Sequence, residues 1–422
     1  MTVAAAHRAV EAVWRIESPR VIATLARMVN DIGLAEELAQ DALVAALEEW
    51  PHKGVPDNPG AWLTLTAKHR AIDQFRRRDT YQRKLQEIGL DMELRQESAQ
   101  ADLDDALDDH IGDDLLRLIF TACHPELPVE GRLALTLRLL GGLSTAEIAR
   151  AFLVPEPTVG QRISRAKRTL ADKRIPIELP PPAELPARLA SLLEVIYLIF
   201  NEGYAATAGD DWTRPSLCQE AMRLGRVLAG LMPGEPEVHG LLALMEIQAS
   251  RLPARTAPDG TPVLLLDQDR SRWDRLLVRR GLAALRRAEE LGTLGPYGLQ
   301  AAIAACHARA LTAEATDWER MAALYRLLAH LTPSPVVELN RAVAVGMAYG
   351  PERGLEIADG LRDERALRGY AHLPAVRGDL LAKLGRTEEA SAEFRRAAEL
   401  TRNARERDLF LERAAALGTR AV

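Results

Sequence analysis

The 422-residue sequence predicts an all-α fold, with small helical domains at the N-terminal end and a helical solenoid at the C-terminal end. Three observations predict it. Apolar residues are 47% of the chain but aromatics only 5%, so alanine and leucine carry the apolar content, which suits helices. No alternating, β-branched stretch of strand type occurs, whereas apolar residues recur at helical spacing in stretch after stretch. Towards the C terminus, small and large residues repeat with the period of stacked helix pairs. On length, about three domains are expected.

From the N terminus, Asp31 to Leu43 (DIGLAEELAQDAL) reads as an acidic amphipathic helix, and Pro51 to Pro59 as a Gly/Pro-rich loop. Trp62 to Arg78 (WLTLTAKHRAIDQFRRR) reads as a surface helix. Ile72, Phe75 and the apolar side of Trp62-Leu63-Leu65 face a core there. Lys68, His69, Arg70, Gln74, Arg76, Arg77 and Arg78 form the opposite, positive side. Such charge runs are commonly solvated, but aromatics interleaved with cations also suit an unpaired nucleic-acid strand. Next, Glu87 to Asp114 holds eleven acidic residues and one arginine. This low-complexity run predicts a soluble tether, or a mimic of nucleic-acid charge.

Leu143 to Leu170 has the spacing of a helix-turn-helix. Ser144 is placed to N-cap the first helix, with Glu147 three residues on completing a capping box. Ile148, Ala149 and Phe152 give its apolar face, and Val154-Pro155 stops it. Glu156-Pro157 starts the second helix. Val159, Ile163, Ala166 and Leu170 face inward, leaving Gln161, Arg162, Ser164, Arg165, Lys167 and Arg168 outside. Arg162 to Arg174 carries six cations against one acid, so the slightly acidic net charge of −6 does not argue against a nucleic-acid partner.

Pro176, Pro180, Pro181, Pro182 and Pro186 predict a spacer that breaks helix repeatedly. Beyond it, residues 188–299 read as helical without clear repetition and 300–417 as stacked helical hairpins. Leu384-Gly385-Arg386-Thr387-Glu388-Glu389-Ala390, with Phe394 and Ala397, fits a tetratricopeptide repeat, and Gly350 to Leu361 is a weaker copy one period earlier. Asn201-Glu202-Gly203-Tyr204 reads as a helix end with Gly203 left-handed. Glu202, Asp210, Asp211, Asp267 and Asp269 lie among Arg214, Arg270 and Arg272, a pattern of ion pairs and caps more than of catalysis. No nucleophile-base pair, phosphate loop or dinucleotide fingerprint appears, so no enzyme activity and no cofactor are expected. Cys123, Cys218 and Cys306 stand far apart, and Cys123-His124-Pro125 reads as a helix end; no metal site is expected. The absence of a long apolar run or signal pattern predicts a cytoplasmic protein without membrane contact.

The order Ala39-Gln40-Asp41-Ala42, Trp50-Pro51, Pro59-Gly60-Ala61-Trp62-Leu63 and Ala71-Ile72-Asp73 with its arginines resembles the sigma-two domain of extracytoplasmic-function (ECF) sigma factors. Leu143 to Leu170 resembles their sigma-four domain. Tyr197 to Tyr204, Asp267 to Trp273 and Pro335 to Ala344 resemble the C-terminal extension of a subgroup with a tetratricopeptide-like domain. The resemblance implies a sigma-two domain at 8–80, an acidic linker at 81–112, a sigma-four domain at 113–175 and a Pro-rich linker at 176–187. It implies core RNA polymerase and promoter DNA as partners and control from within the chain, the extension folding back on the sigma domains or binding polymerase or a signalling ligand; the short Pro-rich tether favours the intramolecular contact. Glu37, Gln40 and Asp41 would contact polymerase. Trp62, Lys68, His69, Arg70, Asp73, Gln74 and Arg76 to Arg78 would handle melted promoter DNA. Thr158, Gln161, Arg162, Ser164, Arg165, Lys167 and Arg168 would bind the upstream element. His69 and Gly160 depart from the family pattern. The rival expectations are a tetratricopeptide-type scaffold and a conventional helix-turn-helix regulator independent of polymerase.

Overall fold

The computed structural model describes residues 3–77, 103–206, 213–258 and 260–418. Among the described residues the regular elements are eighteen α-helices and three short 3-10 turns, with a single isolated β-bridge between Thr256 and Pro262. The all-α expectation therefore holds. The chain divides into two compact units, Met1–Val195 and Ile196–Val422.

In the first unit, α1 (Val3–Val29), α2 (Ile32–Lys53) and α3 (Pro59–Arg77) pack on one another. Asn30 adopts a left-handed φ of 51°, and Asp31 then caps α2 by accepting the Leu34 N–H at 2.9 Å. Ala35, Leu38, Ala39, Ala42, Ala46 and Trp50 are buried along α2, and Val21, Ile22, Leu25 and Ala26 along α1. The loop expected from Pro51 starts later, because α2 runs through Pro51 to Lys53. Proline in that last turn forfeits one N–H, and the chain leaves the helix at Gly54, φ 88°, whose N–H bonds Trp50 at 2.9 Å. Along α3, Leu63, Ala67 and Ala71 are buried at four-residue spacing. Leu65, expected on that face, is 55% exposed, since two residues along a helix reach nearly the opposite side.

Helices α4 (Leu103–Ala122), α5 (Val129–Leu139), α6 (Thr145–Phe152) and α7 (Glu156–Asp172) complete this unit. The acidic segment expected as a tether lies mostly outside the described residues. From Leu103 it is already helix, and Asp114, its last acid, is buried. Cys123-His124-Pro125 does close a helix: Cys123 is buried against the Thr136 hydroxyl, and burial pushes its thiol up to about 11. Helix α8 (Leu185–Tyr204) begins here, with Pro186 inside its first turn rather than breaking it. The Arg188 guanidinium donates to the Phe120 carbonyl, and the Ser191 hydroxyl donates to that of Cys123 while accepting from Arg132.

In the second unit α9 (Pro215–Leu231), α10 (Pro236–Ala249), α11 (Arg275–Leu291) and α12 (Pro296–Arg309) surround a core centred on α10. Glu237 receives the Tyr297 and Gly298 N–H groups at 2.8 and 2.9 Å, a carboxylate at the start of α12. Gly203 corrects its expectation. It is helical, and a Cβ there would meet the Cys218 nitrogen at 2.7 Å, so close packing demands the glycine. Glu202 pairs with Arg214, and Asp269 caps a 3-10 turn, as expected of these acids. Asp210 and Asp211 lie outside the described residues.

Helices α13 (Trp318–Leu331), α14 (Pro335–Tyr349), α15 (Pro351–Gly360), α16 (His372–Lys383), α17 (Thr387–Leu400) and α18 (Ala404–Gly418) follow, each packed on the next. Gly385, φ 74°, turns α16 into α17, on which Ala390, Phe394 and Ala397 are buried.

Candidate nucleic-acid and polymerase interface

The helix-turn-helix forms from the local signals in its sequence. The Ser144 hydroxyl accepts the Glu147 N–H at 3.2 Å and the Glu147 carboxylate accepts the Ser144 N–H at 2.8 Å, which closes the capping box. Those bonds hold the Glu147 carboxyl below its ordinary value. α6 ends at Leu153 in a left-handed conformation, φ 50°, and α7 starts after Pro155.

Helix α7 separates its faces cleanly. Val159, Ile163, Ala166 and Leu170 are all buried. Gln161, Ser164, Arg165 and Arg168 are exposed, and at about 100° per residue they form one stripe opposite the buried one. Thr158 and Arg162 are half-buried beside it. Among the described residues Arg162, Arg165 and Arg168 make no ion pair, which leaves three guanidinium groups for an outside anion. A Cβ on Gly160 would meet nothing within 4 Å, so the flank of the helix is open there.

Lys167 is the exception. It lies on the flank of α7 and binds the Glu36 carboxylate of α2, which also accepts the Arg138 guanidinium at 2.6 Å. Burial alone would raise the Glu36 carboxyl, but Lys167 and Arg138 outweigh it and hold it below the ordinary range. Neither Glu36 nor Arg138 was expected at a site. The signal was present: Glu36 follows Ile32 by four residues and precedes Ala39 by three, which places it on the buried stripe of α2.

On the other expected surface, Glu37 and Asp41 are exposed on α2, and Gln40 is half-buried, donating to Glu36 at 2.9 Å. Asp41 faces Arg70 at 3.8 Å, so these two residues meet across α2 and α3. His69 and Asp73 are exposed. Lys68 departs from the open positive face: it is half-buried near Arg27 and Asp114, and burial lowers its pKa. Trp62 stands edge-on against the buried Trp50, ring centres 5.5 Å apart. Gln74, Arg76 and Arg77 lie on the last turns of α3, and Arg78 lies outside the described residues.

Comparison with known proteins matches this arrangement. Residues 14–81 match sigma-70 region 2 and residues 117–170 match sigma-70 region 4. Residues 188–289 match a family of unknown function, DUF6596. An uncharacterized protein of Rhizobium meliloti (strain 1021) is 44% identical over 390 residues, which covers 92% of this chain and 91% of that protein. The probable ECF RNA polymerase sigma factor SigI of Mycobacterium tuberculosis (strain H37Rv) is 27% identical over 175 residues, 42% of this chain and 59% of that protein. No described helix is long and apolar enough to cross a membrane. The chain carries sigma-70 regions 2 and 4 in that order, and it belongs to the same family as the Rhizobium meliloti protein.

Proposed function

We propose that the chain is an ECF-type initiation factor that binds core RNA polymerase, reads an upstream promoter element through α7 and captures the opened strand through α3. The observation that carries this is the exposed stripe Gln161, Ser164, Arg165 and Arg168, set opposite a fully buried stripe in a domain that follows region 2. Gln161, Ser164 and Arg165 read base edges, with Thr158, Arg162, Lys167 and Arg168 on phosphate. Glu37, Gln40 and Asp41 engage polymerase. Trp62, Lys68, His69, Arg70, Asp73, Gln74 and Arg76 to Arg78 act at the melted element, where stacking and strand capture begin once bases unstack.

Residues 8–80 and 113–175 are the working domains of this reading. The acidic segment 81–112 and the Pro-rich segment 176–187 join them to a C-terminal region, a helical extension at 188–299 and tetratricopeptide-like repeats at 300–417, that supports or regulates initiation. Nucleotidyl transfer belongs to the polymerase. The purified chain is expected to co-elute with core polymerase in gel filtration and to lose that association with Gln40→Ala and Asp41→Ala together. A chain that binds promoter duplex by itself and never joins polymerase would be a conventional regulator instead.

A further inference from the structure

The C-terminal helices enclose a cavity of about 570 Å³ that the initiation reading does not use. It lies where four segments meet: the end of α15, the 3-10 turn Arg365–Leu367, the first turns of α16 and the last turns of α17. Its size falls within the range of small-molecule sites, about 300–1,000 Å³. Part of its lining is apolar: Leu367, Leu373 and Pro374 are buried, and Leu400 is half-buried. Arg377 also lines it, 8% exposed, but it is ion-paired with Asp359 and Glu393, so its charge is already balanced. Arg362, Arg368 and Arg396 differ. They reach the same cavity from three separate segments, all are exposed, and among the described residues none of their side chains makes an ion pair or a hydrogen bond. A lone exposed arginine is ordinarily just solvated. Three around one concave, leucine-lined space make a cationic pocket, with Asp363 the one unpaired acid in its lining. Leu373 and Pro374 belong to the first turn of α16, which contains no acidic residue and has no side-chain cap. The positive end of that helix dipole therefore adds to the arginines.

We propose that this cavity binds a phosphate monoester of small size, with Arg362, Arg368 and Arg396 on the phosphate and the carbon body against Leu367, Leu373 and Leu400. Planar guanidinium forks match the several oxygens and the double charge of a phosphate. The volume suits a sugar phosphate or a mononucleotide and is far too small to admit a nucleic-acid duplex. The site belongs to the C-terminal unit alone, so its occupancy does not depend on whether the chain initiates transcription.

The test is isothermal titration of the full chain, at fixed ionic strength, with glucose 6-phosphate, adenosine monophosphate and inorganic phosphate. At least one of the two esters should bind saturably, once per chain and more tightly than inorganic phosphate, and should raise the Tm by mass action. Arg362→Gln with Arg396→Gln should weaken that binding on the order of a hundredfold, about tenfold for each charge-assisted hydrogen bond lost. Both positions are exposed, so the fold is retained, and circular dichroism checks it. Arg386→Gln removes an exposed guanidinium that pairs with Glu389 outside the cavity and should leave binding unchanged. No saturable binding of any of the three probes overturns the site, and so does equal ester binding by the wild-type and doubly substituted chains. Tighter binding of inorganic phosphate than of both esters overturns the monoester. If the double substitution lowers affinity for non-specific duplex and leaves ester binding intact, the arginines belong to a nucleic-acid surface and the site is likewise overturned.

Discussion

Arg165 and Arg168 share the exposed stripe of α7 but are assigned different work, and substitution separates the two roles. If Arg165 makes a bidentate contact to a guanine, Arg165→Ala costs about 1–3 kcal/mol of promoter binding and relaxes preference at one base pair. Arg168→Ala weakens all sequences alike and lowers the salt slope by about one unit. Binding to a set of singly changed promoters checks this, and equal, sequence-blind losses from both variants would contradict the assignment. A second residue-scale prediction concerns His307, buried on α12 edge-on to Trp318 and with no hydrogen-bond partner on its Nδ1. Burial, with Arg251 and Arg270 nearby, brings its pKa down to about 3 from an ordinary 6.5. The unfolded chain therefore binds the extra proton first. Stability of the second unit is complete above pH 6.5 and falls as the pH drops towards 3, with a limiting slope of about 1.4 kcal/mol per pH unit. Urea unfolding between pH 7 and 4 should show that slope and lose part of it in His307→Gln; identical slopes would show that other groups dominate.

The helices themselves were legible wherever the local signals agreed. Ser144 and Glu147 named the start of α6, Pro155 the break, and the spacing of Val159, Ile163, Ala166 and Leu170 the buried face of α7. The misreadings share one cause, a local rule overridden by packing. Local composition starts a Gly/Pro-rich loop at Pro51, yet α2 continues past it to Lys53, with Trp50 buried in that turn. Gly203 was read as a left-handed cap, yet its lack of a side chain serves the approach of α9. Lys68 was read as part of an open cationic face, and tertiary neighbours on α1 and α4 half-bury it. The burial of Glu36 is legible in its spacing along α2, but its pairing is not, because its two partners lie more than a hundred residues away in sequence. Gly160 offers a test at this scale. With open space around its missing Cβ, Gly160→Ala should stabilise α7 by about 1 kcal/mol, the helix-propensity difference, in thermal or urea unfolding. A loss of stability would mean that the glycine meets a need of the backbone that the helix geometry does not reveal.

At the scale of the molecule, sequence order carried more than any single motif. A basic helix and a helix-turn-helix are each common, but region 2 followed by region 4 in one chain supports reading the parts together as those of a sigma factor. The C-terminal half was legible as helical and only partly as repeats, since the regular spacing of α16 and α17 is lost around α10, where the core is built from nearly every face of one helix. The central claim is that this chain gives polymerase a promoter. Its most direct measurement is run-off transcription on fragmented genomic DNA by core polymerase with and without the purified chain. The account predicts discrete transcripts with fixed start sites that appear only with the chain, weaken with Arg165→Ala and disappear with alanine at Arg76, Arg77 and Arg78. Absence of any chain-dependent transcript across the genome, from a chain that remains folded, would contradict it.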